Sequence, residues 1–348
     1  MQTSTELSQL RPQALSRVDD TPSELREGIL ELPGTLRLHH GGGLEGVHVA
    51  WWLSGPARAP VMVALGGISA HRVVYSQGGA SGWWDGIAGP GLALDAKRFR
   101  ILGFDFLGGS GASTGPRATG SFPSVSTYDQ AELLLRLSTH LGIARLHAIA
   151  GASYGGMVAL AFGERYPERV ERLLVVSAAD ATHPMATAWR SVQRRVVRYA
   201  LSHGEGPRGL ELARALAMAT YRSPEEFAAR FSAAPESSDG AFVFGVERYL
   251  FARGADYANA YRPGAFLCLS ESIDLHAVDA TRIRVPTTVV GVREDQLVPI
   301  ADLRALVARF GGPARLVEIS SIYGHDAFLK EAGQLGPVFR ECLASPHE

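Results

Sequence analysis

Apolar residues recur along this chain in short unbroken runs, closed by glycine, proline or a small polar residue. GVHVAWWLSG (46–55), VMVALGG (61–67), FRILGFDFLGG (99–109), LHAIAGAS (146–153), RLLVVSAAD (172–180), PTTVVGVRED (286–295) and ARLVEIS (314–320) all have this form. The later runs do not alternate, which predicts strands covered on both faces of a mostly parallel sheet. A second period, with apolar positions three and four apart, lies between them at TYDQAELLLRLSTHLG (127–142) and ADLRALVARFG (301–311). Strand and helix in alternation with short loops predict a doubly wound α/β architecture. One block interrupts the alternation. From 181 to 283, WRSVQRRVVRYAL, RGLELARALAMATY, SPEEFAARF and VERYLFARG all have helical spacing, and Ser223 with Glu226 has the order of a capping box. A helical block inserted before a late strand predicts a cap over the carboxyl edge of the sheet, where ligands bind in such folds. The predicted organisation is a mobile tail over 1–27, a core over 28–180 and 284–348, and a cap over 181–283.

The run at 146 breaks at GASYG, and a helical period follows through Met157, Leu160, Ala161 and Phe162, ending near Tyr166-Pro167. Ser153 therefore sits where a strand turns into a helix, with Gly151 and Gly155 two residues to either side. Side chains at those positions would collide in so tight a turn, which forces the serine into a strained backbone conformation. This is the G-x-S-x-G nucleophile elbow in its required strand-turn-helix context.

Composition narrows the function. The chain has 348 residues, 46% hydrophobic, with 34 basic against 35 acidic side chains. That is enough length for a large core and no charge excess for nucleic acid or an anionic membrane. Lys97 and Lys330 are the only lysines. Cys268 and Cys342 stand far apart without metal-ligand spacing, so two reduced thiols are expected and no metal. No apolar stretch is long enough to span a bilayer, and the opening MQTSTELSQLRPQALSRVDD lacks the pattern of a secretory signal. A soluble cytoplasmic protein is expected.

A serine hydroxyl needs a base in hydrogen-bond reach and a group that orients the base. In this kind of fold the chain order is serine, acid, histidine. VVGVREDQLVP ends a strand at Glu294-Asp295, and EISSIYGHDAFL follows the next strand with His325. Strand alternation turns only one of the two acids to the site, and the D-x-L-V-P loop entry favours Asp295. His276 and His347 also lie downstream, but neither follows a late strand. For the oxyanion, the amide of Tyr154 is one expected donor and Leu65, with Gly66 adjacent, the other. His71 reads as a local orienting group. The residues thus predict serine acyl chemistry and leave the acceptor open.

The chain resembles the homoserine O-acyltransferases of the α/β-hydrolase superfamily from about residue 38 to 329. The resemblance is carried by GWWDGIAGPGLALDAKRFRILGFDFLGGSGASTGP (82–116), FPSVSTYD (122–129), GASYGGM (151–157), GLELAR (209–214), VERYL (246–250) and YGHDAFL (323–329). It implies an α/β-hydrolase fold with a helical lid, and Ser153, Asp295 and His325 as nucleophile, acid and base. It implies Arg214 on the α-carboxylate of the amino acid and Asp326 on its α-ammonium, a pairing of charges that suits such a substrate. It implies acyl-CoA as co-substrate with no further cofactor, L-homoserine as acceptor, and a homodimer built through the cap. The chain departs from the family's GGSMGGM at Ala152 and Tyr154, and a Tyr154 ring beside the oxyanion hole would reshape the acyl pocket. AYRPGAF (260–266) replaces the family's RFDANSY. Gln296 stands where succinyl-using relatives often carry tryptophan, which favours acetyl-CoA. Succinyl-CoA as donor, L-serine or water as acceptor, and a silent binding protein are the rival expectations.

Overall fold

The computed structural model describes residues 23–116, 121–238 and 240–344. Eight strands join in one sheet: β1 (Ser23–Glu31), β2 (His48–Pro56), β3 (Val61–Leu65), β4 (Arg100–Phe104), β5 (Ala148–Ala152), β6 (Leu173–Val176), β7 (Thr287–Val292) and β8 (Ala314–Ile319). Their spatial order is β1-β2-β4-β3-β5-β6-β7-β8. β2 runs antiparallel to β1 and β4, and the other neighbours are parallel. The non-alternating runs now have a physical account. Val61, Val63 and Leu65 of β3 join one core, together with Ile149 of β5 and Val175 of β6. Their neighbours Met62, Ala64, Ala150 and Val176 join a second core on the opposite face. Both faces are dry, so both sets are apolar.

Helices α1 (Thr127–His140) and α2 (Tyr154–Arg165) cover the first face. After β6 the chain leaves the sheet as α3 (Pro184–Ser202), α4 (Gly206–Tyr221), α5 (Pro224–Arg230), α6 (Gly245–Ala260) and α7 (Pro263–Asp274). A small hairpin, Glu236–Ser238 with Ala241–Val243, lies among them. The chain returns to the sheet through β7, followed by α8 (Ile300–Val307), α9 (Ala327–Lys330) and α10 (Ala332–Leu343). Within the insertion, α4 packs against α3 and α6. Ser223 caps α5, its hydroxyl accepting from the Glu226 amide at 3.2 Å. The reciprocal half of the predicted box does not form, because the Glu226 carboxylate turns to Arg222 at 3.0 Å.

Three differences from the sequence expectations stand out. Residues 23–27, assigned to the tail, begin β1. SELREGILE is a charged edge strand with no apolar run to mark it, and it pairs along its length with β2. Helices α7 and α10 were not expected either: α7 opens on Pro263-Gly264, and α10 carries Pro337 within it, residues that read as breakers. The remainder of the expected tail and His347 lie outside the described residues. No described helix is long and apolar enough to cross a membrane.

Candidate active site

Ser153 sits between β5 and α2 with φ 53° and ψ −122°. For a residue with a side chain this backbone costs on the order of 1–3 kcal/mol and persists only where its surroundings enforce it. The enforcement is visible. A Cβ on Gly151 would lie 2.2 Å from the Gly155 carbonyl oxygen, and one on Gly155 would lie 2.3 Å from the Leu65 carbonyl oxygen. The Ser153 amide donates to the Val176 carbonyl at 2.9 Å, and the Gly155 amide to the Gly66 carbonyl at 2.9 Å. Three adjacent strand ends thus clamp the turn.

Two loops carry the partners. His325 Nε2 lies 2.9 Å from Ser153 Oγ, and His325 Nδ1 lies 2.7 Å from Asp295 Oδ2. The other Asp295 oxygen accepts from the amides of Leu297 and Val298 at 2.8 and 3.1 Å, which fixes the carboxylate. Burial resists a charge on His325, but the Asp295 carboxylate, helped by Asp326, more than offsets it, and the imidazole pKa rests above its ordinary value of 6.5. Glu294 faces elsewhere and accepts from the hydroxyl of Ser320 and the amide of Ser321. His276 is a buried brace: Nε2 donates to the Ala179 carbonyl at 3.1 Å and Nδ1 accepts from Thr127 Oγ1 at 2.8 Å. His71 ties its own turn, Nδ1 accepting from the Val73 amide.

The structure bears on two expectations at the oxyanion site, and it corrects the one for the Tyr154 ring. Leu65 is the last residue of β3, is paired with Gly151 and lies under the elbow. The wall of the cavity over Ser153 begins two residues later, at Gly67 and Ile68. Tyr154 opens α2, so its amide has no acceptor within the helix and faces the dipole's positive end. Its ring does not shape the acyl pocket. It is fully buried in the core, edge-on to Phe106 at 5.0 Å, with its hydroxyl 2.7 Å from Ser272 Oγ.

A cavity of about 260 Å³ opens over Ser153 and His325. Apolar side chains, among them Met157, Trp189, Phe266 and Leu297, make much of its wall, and Arg214 and Asp326 also line it. The Arg214 guanidinium lies 5.1 Å from the ring centre of Tyr221 and 4.8 Å from that of Tyr257. Such faces hold a cation in place without neutralising it. Asp326 Oδ2 accepts from Arg222 Nε at 2.9 Å. Arg222 was missed in the sequence, as were Arg190 and Gln193 on α3, which also face this cavity. Arginines are so frequent in these helices that spacing alone does not select them. Gln296 is turned onto the Arg222 carbonyl at 2.9 Å. Ser153 and Ser177, the two non-glycine described residues with positive φ, both line the cavity. Among the described residues no cluster of His, Cys, Asp or Glu could hold a metal.

Comparison with known proteins agrees with this geometry. A model of the α/β hydrolase fold matches residues 60–332. A homoserine O-succinyltransferase of Xanthomonas campestris is 42% identical over 332 residues, covering 94% of this chain and 86% of the relative. A homoserine O-acetyltransferase of Thermobifida fusca is 32% identical over 94% of this chain and 96% of its own. Among solved structures, the homoserine O-acetyltransferase of Bacillus anthracis superposes with a TM-score of 0.82 at 20% identity, covering 92% of this chain and 98% of its own.

Proposed function

The chain belongs to the homoserine O-acyltransferases of the α/β-hydrolase fold, and on that premise we propose that it moves an acyl group from acyl-CoA to the hydroxyl of L-homoserine through an acyl-enzyme on Ser153. One observation carries the reading: the Ser153–His325–Asp295 relay opens into a cavity that also presents Arg214 and Asp326, one cation and one anion for an amino acid.

In the first half-reaction His325 Nε2 takes the Ser153 proton as Oγ attacks the thioester carbonyl. The carbonyl oxygen gains the electron pair and is held by the amides of Tyr154 and Gly67. Collapse breaks the C–S bond, and His325 returns the proton to the departing thiolate. In the second half Arg214 receives the α-carboxylate and Asp326 the α-ammonium. His325 deprotonates the homoserine hydroxyl, which attacks the acyl carbon. The ester leaves and Ser153 regains its proton. The 181–283 insertion acts as a cap that limits water at the acyl-enzyme, so transfer outruns hydrolysis. The reading places the protein in the cytoplasm as a homodimer with acyl-CoA as its co-substrate.

The test is thiol release from acetyl-CoA and succinyl-CoA with and without L-homoserine, with the product identified by mass. Homoserine-dependent release with an O-acylhomoserine product is the expected outcome. Release indifferent to homoserine would point to L-serine or water as the acceptor and would overturn the assignment.

A further inference from the structure

We propose that Arg190 is a specificity-determining residue that binds a terminal carboxylate on the acyl group, so that the donor is the CoA thioester of a dicarboxylic acid, of succinyl length. This deepens the acyltransferase reading and rests on it.

The argument starts from charge. Asp274 at the end of α7 faces two guanidinium groups of α3. Arg190 Nε donates to its Oδ1 at 2.8 Å, and Arg194 Nη1 to its Oδ2 at 2.5 Å. Thr187 Oγ1 adds a bond to Oδ1 at 2.9 Å. One carboxylate thus serves two cations, and the cluster keeps one net positive charge. The two arginines are not equivalent. Arg194 also donates to the Ser270 carbonyl and hydroxyl at 2.9 and 3.1 Å. Arg190 Nη2 is ion-paired with the same Asp274 Oδ1 at 2.7 Å, without an aligned hydrogen bond. A second carboxylate would add an aligned acceptor to this guanidinium and balance the remaining charge.

Arg190 lies on the reaction cavity, whose wall also includes Ser153 and His325. Its charge reaches the base as well, opposing protonation of His325. Gln193, buried on the same helix, offers an amide to the same wall, and Ser177 holds a buried hydroxyl without a partner there. Asp326, one of the acids on that wall, is already paired with Arg222; Asp302 is the other. A methyl group would offer the Arg190 charge no counter-ion and the Ser177 hydroxyl no partner. A carboxylate two methylenes beyond the thioester carbon matches a planar guanidinium fork. Gln296, the residue that favoured an acetyl donor, is engaged with the Arg222 carbonyl.

The experiment compares acetyl-CoA, butyryl-CoA and succinyl-CoA as donors to wild type, Arg190→Gln and Arg190→Lys. Thiol release reports the rate, and intact mass reports the acyl group on Ser153. Butyryl has the length of succinyl without its charge. Wild type should prefer succinyl-CoA. Arg190→Gln should lower the succinyl-to-butyryl ratio of kcat/KM by roughly 10–100-fold, the worth of one charge-assisted contact. Arg190→Lys, which keeps the charge and loses the fork, should fall between the two. A wild-type preference for acetyl or butyryl overturns the proposal, as does an unchanged ratio in both variants. If a succinyl-enzyme forms and homoserine does not accelerate its turnover, the acceptor assignment fails and the donor assignment stands. If homoserine takes acetyl faster than succinyl, the reverse holds.

Discussion

The site is built from two regions that are held by different means. On the sheet side, Ser153, Asp295 and His325 come from the ends of β5, β7 and the loop after β8, and backbone fixes each of them. Glycines that tolerate no Cβ set the elbow, and amides of Leu297 and Val298 set the acid. On the cap side, Arg190 and Arg214 come from helices and Arg222 from the turn after α4, and all are held by side chains: an aspartate, a pair of tyrosines, another aspartate. Backbone-set geometry allows little variation. Side-chain pairs can be exchanged one substitution at a time. The comparison separates a fixed reaction from an adjustable choice of what reacts.

The largest effect should come from the sheet side. Ser153→Ala should abolish the covalent intermediate and lower turnover by about 10⁴-fold or more, read by intact mass after mixing with acyl-CoA. An acyl adduct surviving in that variant would break the comparison at its root. Next, Gly155→Ala forces a Cβ against the Leu65 carbonyl. It should destabilise the fold by about 3 kcal/mol, seen as a lower urea midpoint, with turnover lost as well. The same change in an exposed cap glycine, Gly204→Ala, has no such clash and should be far milder even though its φ is positive.

A substitution beside the base should divide the two half-reactions. Asp326→Asn should raise the KM for homoserine by roughly 10-fold and leave the acyl-enzyme forming. It should also move the acid limb of kcat/KM. His325 acts as a base only when neutral, and its pKa lies above 6.5, so activity falls as pH drops through that raised value. Asp326 contributes to the elevation, so its neutralisation should shift the limb to lower pH. A limb that does not move would show that the Asp326 charge does not reach the base.

One further effect lies outside the site and leaves the reaction untouched at neutral pH. Burial pushes the His276 pKa down to about 4. Above pH 6.5 this histidine is neutral in both folded and unfolded chains. Below 6.5 the unfolded chain takes up a proton that the fold refuses, so stability falls as pH drops from 6.5 towards 4, by up to about 3 kcal/mol. Urea melts across that window measure it, and a His276→Asn variant should lose most of the slope.

The same division explains what was legible in the sequence. The elbow could be read because backbone geometry demands glycine at two exact offsets from Ser153, and the acid and base could be read because strand order fixes where they fall. Arg214 and Asp326 were legible through motif resemblance. Arg190 and Arg222 were not. WRSVQRRVVRYAL offers several arginines, and only the packing of α3 on α7 decides that Arg190 and Arg194 meet Asp274 and that Arg190 also reaches the cavity. The direction of the Tyr154 ring depends on packing against Phe106 and a hydrogen bond with Ser272, residues far away in the chain. Which amide after β3 faces the oxyanion depends on a turn that periodicity does not resolve. β1 was hidden by its own solvation.

One short seam deserves a last consideration. The end of α4 is stitched to both loops that serve Ser153. The Arg222 carbonyl accepts from Gln296 beside the acid, and the Ser223 amide donates to the Ile322 carbonyl ahead of the base. The Arg222 side chain holds Asp326, the residue after the base, and Gly324 is kept bare by the Tyr221 carbonyl. The arrangement works as an interlock. A displacement of the lid would therefore pull on the segments that carry both the acid and the base.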